Sequence, residues 1–269
     1  MVMLLDNMPL ENCIRCLQPL TKANKQSRGY CKNCYAFAYK HNLFDRSIPP
    51  EKPIINLTDE QEQILIGSLL GDGEIIKNIS TAANFLYSVG RQQSDYEYLK
   101  WNYDKFLSFR KNAKIVLFTK IDKRPGWKPY CGCQFKTISA PIFTKFHDTW
   151  YPNGLKIIPK NIKLTPLSAA VWFCDDGSFR AKRREGINLQ IATHGFDLGS
   201  VEYICNELHS FTGEKFLISQ DKRNNRDIKG IGYYIRGNKD ASMMLMTIIK
   251  NNILEMHMER KLDKLSHLM

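Results

Sequence analysis

A chain of 269 residues with 43% apolar side chains can bury one large core and leave a small domain beside it, and its composition fits neither a disordered, a collagenous nor a coiled-coil protein. The net charge of +12, from 39 Lys and Arg against 27 Asp and Glu, favours a polyanionic partner. No apolar run approaches the roughly 18 residues a membrane span needs, and no membrane contact is expected. The first residues lack a basic segment ahead of their short apolar patch, so no secretory signal is read there and an intracellular location is expected. Lys outnumbers Arg two to one and Asn and Ile are frequent, which hints at an AT-rich genome: an organelle (mitochondrion or plastid), a phage or a low-GC microbe.

Residues 1–40 carry Cys13-x2-Cys16-x14-Cys31-x2-Cys34. Each CxxC turn offers two sulfurs at once, and two such turns suit one tetrahedral Zn2+ with four thiolates. Two disulfides are the alternative, disfavoured in a chain without a signal peptide. A segment this short folds only with its metal. Basic Arg15, Lys22, Lys25, Arg28, Lys32 and Lys40 and aromatic Tyr30, Tyr35, Phe37 and Tyr39 surround the cysteines. The stretch resembles a zinc-ribbon or zinc-finger module that extends DNA contact, a structural cap being the plainer reading. In 41–56, Pro49, Pro50 and Pro53 favour an extended linker.

The remainder divides into two repeats, 57–160 and 161–269. Asp72-Gly73 recurs as Asp176-Gly177, 104 residues on; Glu97-Tyr98 recurs as Glu202-Tyr203, and Lys156 as Lys261, both 105 residues on. Each repeat opens with a helix. Thr58 caps the first, with Asp59, Glu60 and Glu62 in its first turn; Thr165 caps the second, with Pro166 at its first position. Both helices end at Asp-Gly, where Gly73 and Gly177 are expected to supply the terminating turn. A strand-like stretch and a second helix follow each, near 95–110 and 199–212. Further strands are predicted at 114–121, 130–138, 187–193, 215–220 and 231–236, and helices near 140–150 and 239–250. The unit is αββαββα, seen twice.

The chemistry concentrates at the two helix ends. In Leu65-Ile66-Gly67-Ser68-Leu69-Leu70-Gly71-Asp72-Gly73, the glycines at 67 and 71 share a helix face and admit another backbone. A carboxylate at a helix C-terminus opposes the dipole and calls for a cation. In Ala169-Ala170-Val171-Trp172-Phe173-Cys174-Asp175-Asp176-Gly177, two adjacent carboxylates repel each other unless neutralised. Trp172 and Phe173 read as core.

These paired motifs resemble the LAGLIDADG homing endonucleases in their single-chain, two-repeat form, over roughly 57–265. The resemblance implies an α+β fold of two pseudo-symmetric repeats, their motif helices side by side and each antiparallel sheet forming half of a saddle for the DNA major groove. It implies metal-dependent double-strand cutting of a long site by a monomer, with Asp72, Asp176 and the carbonyls of Gly71 and Asp175 holding Mg2+, and with Lys156 and Lys261 (or Arg260) as catalytic lysines. Val171 and Asp175 depart from the pattern by replacing small residues, so helix packing there should be asymmetric, and Asp175 could compete with Asp176 for the metal. Independently of the resemblance, phosphodiester hydrolysis needs an activated water and a stabilised leaving oxygen, which carboxylate-held Mg2+ supplies.

Base reading needs polar side chains on strands or loops in the groove. Candidates are Lys77, Asn78, Arg91, Gln93, Lys120, Lys123, Arg124 and Lys136 in the first repeat. In the second they are Arg180, Lys182, Arg183, Arg184, Asn188, Gln190, Lys222, Arg223, Arg226 and Arg236. Intron-encoded homing is the leading expectation. The alternative is an RNA-binding maturase on the same scaffold, with intron RNA as partner.

Overall fold

The structure is a computed structural model. It describes residues 12–21, 29–41, 43, 55–79, 82–110, 114–121, 129–182, 186–221 and 232–263, with backbone alone at 181, 182, 186 and 187. The chain divides into two compact units, 1–54 and 55–269.

In the first unit, an Asn12–Pro19 bridge closes the knuckle that carries Cys13 and Cys16. The Cys13 carbonyl accepts from the Leu17 N–H at 2.8 Å, the hydrogen bond of a tight turn. Helix α1 (Lys32–Lys40) begins one residue after Cys31 and presents Cys34 inward. Cys13, Cys31 and Cys34 are the buried centre, with Leu20 and Tyr30 packed against them. No larger apolar cluster supports this unit among its described residues.

In the second unit, the αββαββα order appears twice. The first repeat runs α2 (Asp59–Leu70), β1 (Glu74–Ile76), β2 (Leu86–Gln92), α3 (Tyr96–Lys105), β3 (Val116–Lys120), β4 (Tyr130–Lys136) and α4 (Pro141–Trp150). The second runs α5 (Pro166–Asp176), β5 (Gly177–Lys182), β6 (Gly186–Ala192), α6 (Leu198–Thr212), β7 (Phe216–Asp221), β8 (Gly232–Gly237) and α7 (Lys239–Glu255). Each sheet is antiparallel with the same order, β1-β2-β4-β3 and β5-β6-β8-β7. Among the described residues, no helix is long and apolar enough to cross a membrane.

The motif helices start as their sequences require. Thr58 and Gln61 form a reciprocal capping box on α2, and Thr165 and Ser168 form one on α5, where Pro166 occupies the first turn. The two helices pack on each other along their small residues. A Cβ on Gly67 would lie 2.4 Å from the Ser168 carbonyl and 2.7 Å from the Val171 Cβ; one on Gly71 would lie 2.4 Å from the Asp175 Cβ. The packing is therefore asymmetric: α2 supplies the space, and α5 fills it with Val171 and Asp175. Trp172 and Phe173 are fully buried, as core residues should be.

The Asp-Gly glycines correct one expectation. Gly73 and Gly177 are not left-handed, since the positive-φ glycines among the described residues are Gly29, Gly154 and Gly213. They are needed for space. A Cβ at 73 would meet the Ser68 hydroxyl at 2.2 Å, and one at 177 the Phe173 ring at 2.1 Å.

Strand alternation then sorts the side chains. In the second sheet, Phe179, Leu189, Ile191 and Ile235 face the helices. Their alternates Ser178, Arg180, Asn188, Gln190 and Arg236 share the other face. In the first sheet, Tyr87, Val89 and Phe135 face inward, while Ser88, Gln134 and Lys136 share the outer face.

Candidate active sites

Abutting α2 and α5 brings Asp72 and Asp176 to the same end of the helix pair. Their charges are felt mutually: after burial, Asp72 is the largest influence raising the Asp176 carboxyl, which is pushed up to about 7. The environments of the two aspartates differ.

Asp72 is half exposed, and Arg91 reaches it from β2. The Arg91 guanidinium is itself 5% exposed and lies between two carboxylates, Nη1 donating to Asp72 Oδ2 and Nη2 paired with Asp175 Oδ1. The Asp175 side chain is wholly buried. It also accepts from the Tyr98 hydroxyl at 2.8 Å and from the Asp72 backbone N–H at 3.2 Å. Burial pushes the Asp175 carboxyl up against the pull of Arg91, and its charge in turn holds the Arg91 guanidinium firmly protonated. Gly90, Gln92, Asp95, Tyr130 and Arg260 complete the wall of this pocket. Arg260 forks onto Asp95, Nε to Oδ1 at 2.9 Å and Nη2 to Oδ2 at 2.6 Å, so the last turn of the second repeat is tied to the first.

Asp176 is half-buried and makes no ion pair or side-chain hydrogen bond among the described residues. It lines a second pocket with Gly71, Lys156, Thr193, His194 and Phe196. Lys156 is delivered by a sharp reversal after α4, where Asn153 and Gly154 are left-handed (φ 57° and 77°) and the Ile157 N–H returns to the Trp150 carbonyl. Its ammonium donates to the carbonyls of Gly73 (3.0 Å) and Gly71 (3.3 Å). Burial pushes Lys156 down to about 8, although Asp176, Asp175 and Asp72 pull the other way. Lys261 occupies the corresponding place, donating to the Gly177 carbonyl at 2.6 Å, and burial lowers it as well, with Arg260 adding to the push. Each lysine thus caps the glycine carbonyl after the motif aspartate of its own repeat.

The remaining expected contacts divide by position. Lys136, Arg180, Asn188, Gln190 and Arg236 lie on the outer sheet faces, and Lys120 at the far end of β3 is exposed. Lys77, Asn78 and Gln93 are exposed beside strand ends. Lys182 lies on β5, its side chain outside the described set. Lys123, Arg124, Arg183, Arg184, Lys222, Arg223 and Arg226 lie outside the described residues. Arg91 needs correction as a base-reading residue. It continues the inward alternation Tyr87, Val89, Arg91, and its guanidinium is engaged by two acids. That alternation was the available signal. Tyr98 and Asp95 were not anticipated, and nothing local in the sequence marks them beyond the Glu-Tyr recurrence. The Asp175 side chain is engaged by Arg91, Tyr98 and the Asp72 N–H, whereas Asp176 has no such partner among the described residues.

In the first unit, the sulfurs of Cys13, Cys16, Cys31 and Cys34 all lie within 4.8 Å of one another. None of the four is disulfide-bonded; the Cys16 and Cys31 sulfurs are 3.8 Å apart, far beyond a disulfide bond.

Two abutting helices, each ending in a carboxylate before a glycine and each leading into a four-stranded antiparallel sheet, define a duplicated α+β protein with twin acidic pockets. The family model described as "LAGLIDADG DNA endonuclease family" matches residues 62–243, more than half of the chain. The chain belongs to this family. It is 26% identical over 183 residues to an uncharacterized protein of Methanocaldococcus jannaschii, covering 67% of this chain and 68% of that one. It is 27% identical over 151 residues to the cytochrome b mRNA maturase bI2 of Debaryomyces hansenii, covering 55% of each. The chain thus spans only about half the length of that maturase. Among solved structures, the homing endonuclease I-WcaI bound to its DNA recognition sequence superposes with a TM-score of 0.63 at 22% identity, covering 83% of this chain and 97% of that one. At that identity the likeness speaks for the fold.

Proposed function

We propose that the protein is a site-specific, metal-dependent DNA endonuclease that cuts both strands of a duplex, acting as a monomer because one chain carries both halves. The observation that carries this reading is the convergence of Asp72 and Asp176 at adjoining helix ends, each with a half-buried lysine on the next glycine carbonyl. The donor set fits a hard divalent cation such as Mg2+: Asp176 and the Gly71 carbonyl line one pocket, and Asp72 lines the other beside Asp175. Bound there, the cation would lower the pKa of a water and stabilise a leaving oxygen. In hydrolysis the water oxygen replaces one ester oxygen on phosphorus, leaving a phosphate monoester end and a hydroxyl end. Lys156, held near neutrality on the pH scale by burial, can carry a proton to or from the phosphate oxygens of its strand. Lys261 stands ready for the other strand. The outer sheet faces, with Lys136, Arg180, Asn188, Gln190 and Arg236, supply the groups that position and read the groove.

The test is a supercoiled plasmid carrying the uninterrupted allele of the gene that harbours this reading frame. With Mg2+, linear product is expected; with chelator, none. Intact plasmid under both conditions overturns the reading. The likeness to a cytochrome b mRNA maturase favours one second reading, an RNA-binding splicing cofactor on this scaffold, which a splicing assay with the host intron would reveal.

The four-cysteine cluster is best read as a structural Zn2+ site. Tetrahedral ligands at about 2.3 Å from one zinc lie about 3.8 Å apart, the separation of Cys16 and Cys31. Replacing Cys13 by Ser, or chelation, is expected to unfold the first unit while the nuclease unit keeps its melting temperature. One bound zinc per chain by elemental analysis, absent from Cys13→Ser, is the accompanying measurement.

A further inference from the structure

The two pockets are not copies, and the difference traces to one residue. Sheet register sets the equivalences: Ser88 pairs with Glu74 and Lys136 as Gln190 pairs with Ser178 and Arg236. Arg91, three residues beyond Ser88, is therefore matched by Thr193, three beyond Gln190. Thr193 is buried, and its hydroxyl donates to the Tyr233 carbonyl at 2.8 Å. Its side chain brings no charge. Tyr98 is matched by Tyr203, whose hydroxyl donates to the Ile162 carbonyl at 2.7 Å and hydrogen-bonds no acid among the described residues. Gly71, the counterpart of Asp175, has no side chain at all. The linked set Asp175, Arg91 and Tyr98 exists on one side only.

We propose that Asp175 is a positioning residue for the Asp72 pocket alone: with Tyr98 it fixes the Arg91 guanidinium beside Asp72 as a cation for the phosphate cut there, so that the two strands are cut by unlike machinery. The inference rests on the nuclease reading above. Its physical basis is the three-point hold on Asp175, from Arg91, the Tyr98 hydroxyl and the Asp72 N–H, in a fully buried setting. A buried carboxylate so held cannot turn away, and the guanidinium divides between two acids, one nitrogen to each. Without Asp175 the whole cation would collapse onto Asp72, closing that carboxylate to a metal ion. None of these three side chains lines the Asp176 pocket, which Asp175 and Arg91 reach only through space, by their charge.

The test is single-turnover cutting in Mg2+ of a duplex the wild-type protein cleaves, with each strand carrying its own label. Asp72→Asn identifies the strand its pocket serves. Asp175→Asn is expected to slow that strand by ~10-fold or more and the other strand by a clearly smaller factor; the first stays short of the roughly 10²–10³-fold that outright loss of an oriented donor produces, because Arg91 itself is kept. Tyr98→Phe, which keeps the ring and removes only the hydroxyl, is expected to slow the same strand by a smaller factor. Equal slowing of both strands by the two variants, or selective slowing of the Asp176 strand, overturns the inference and leaves the nuclease reading standing. Absence of any wild-type cut in the plasmid assay overturns both.

Discussion

The pocket of Asp72 and the pocket of Asp176 grow from one repeated plan and reach opposite electrostatic solutions. Around Asp72, charge is paired: Arg91 bridges two carboxylates, and Arg260 forks onto Asp95 a short way along the wall. Around Asp176 the carboxyl itself makes no ion pair among the described residues, the wall residue His194 facing Asp221 instead, and burial together with the neighbouring acids raises the carboxyl to about 7. One half stores its acid as a salt bridge and the other as a carboxyl ready to hold a proton. Duplication conserved the backbone plan and the lysines, while the side chains between them diverged.

The register-matched positions Arg91 and Thr193 offer the largest contrast. Arg91→Ala leaves Asp175 buried without its cation, an uncompensated charge of the kind that costs about 3–5 kcal/mol. Thr193→Ala removes one neutral hydrogen bond, about 1 kcal/mol. Urea denaturation of both variants checks this, and equal losses would break the comparison. A smaller effect of opposite sign is expected at Asp176. Because its folded carboxyl titrates above the ordinary range near 3.8, the folded state binds the proton more tightly than the unfolded chain does. In the metal-free protein this group therefore lowers stability as pH rises from about 4 to about 7. Asp176→Asn should add about 1–2 kcal/mol at pH 8, or roughly 3–6 °C in Tm, after allowance for partial exposure. The gain should vanish near pH 4. A destabilised variant at pH 8 would contradict the assignment of the strained carboxyl.

Much of the fold was legible because its signals are local. Thr58 and Thr165 announce helix starts, Gly67 and Gly71 announce a close helix contact, and a common offset of about 105 residues reveals the duplication. The cysteine spacing was equally plain. The site was only half legible. Asp72, Asp176, Lys156 and Lys261 stand out because each recurs at one offset, and the fold gathers them at the ends of the two motif helices. Arg91 was misjudged because a charged residue in a polar-looking stretch suggests solvent, whereas strand alternation after Tyr87 and Val89 turns it inward. The partners that receive it, Asp175 and Tyr98, lie 84 and 7 residues away in sequence, and only tertiary packing unites them. Gly73 and Gly177 were correctly singled out for the wrong reason: crowding by Ser68 and Phe173 requires them, and no left-handed turn does.

Strand-resolved cleavage by Asp72→Asn and Asp176→Asn on one shared duplex is the most direct probe of the twin-pocket arrangement. Each variant is expected to nick a single strand, the two variants sparing opposite strands, with no cut from the double variant. Linear product at the wild-type rate from either single variant, or the same strand spared by both, would contradict the assignment of one carboxylate to each strand.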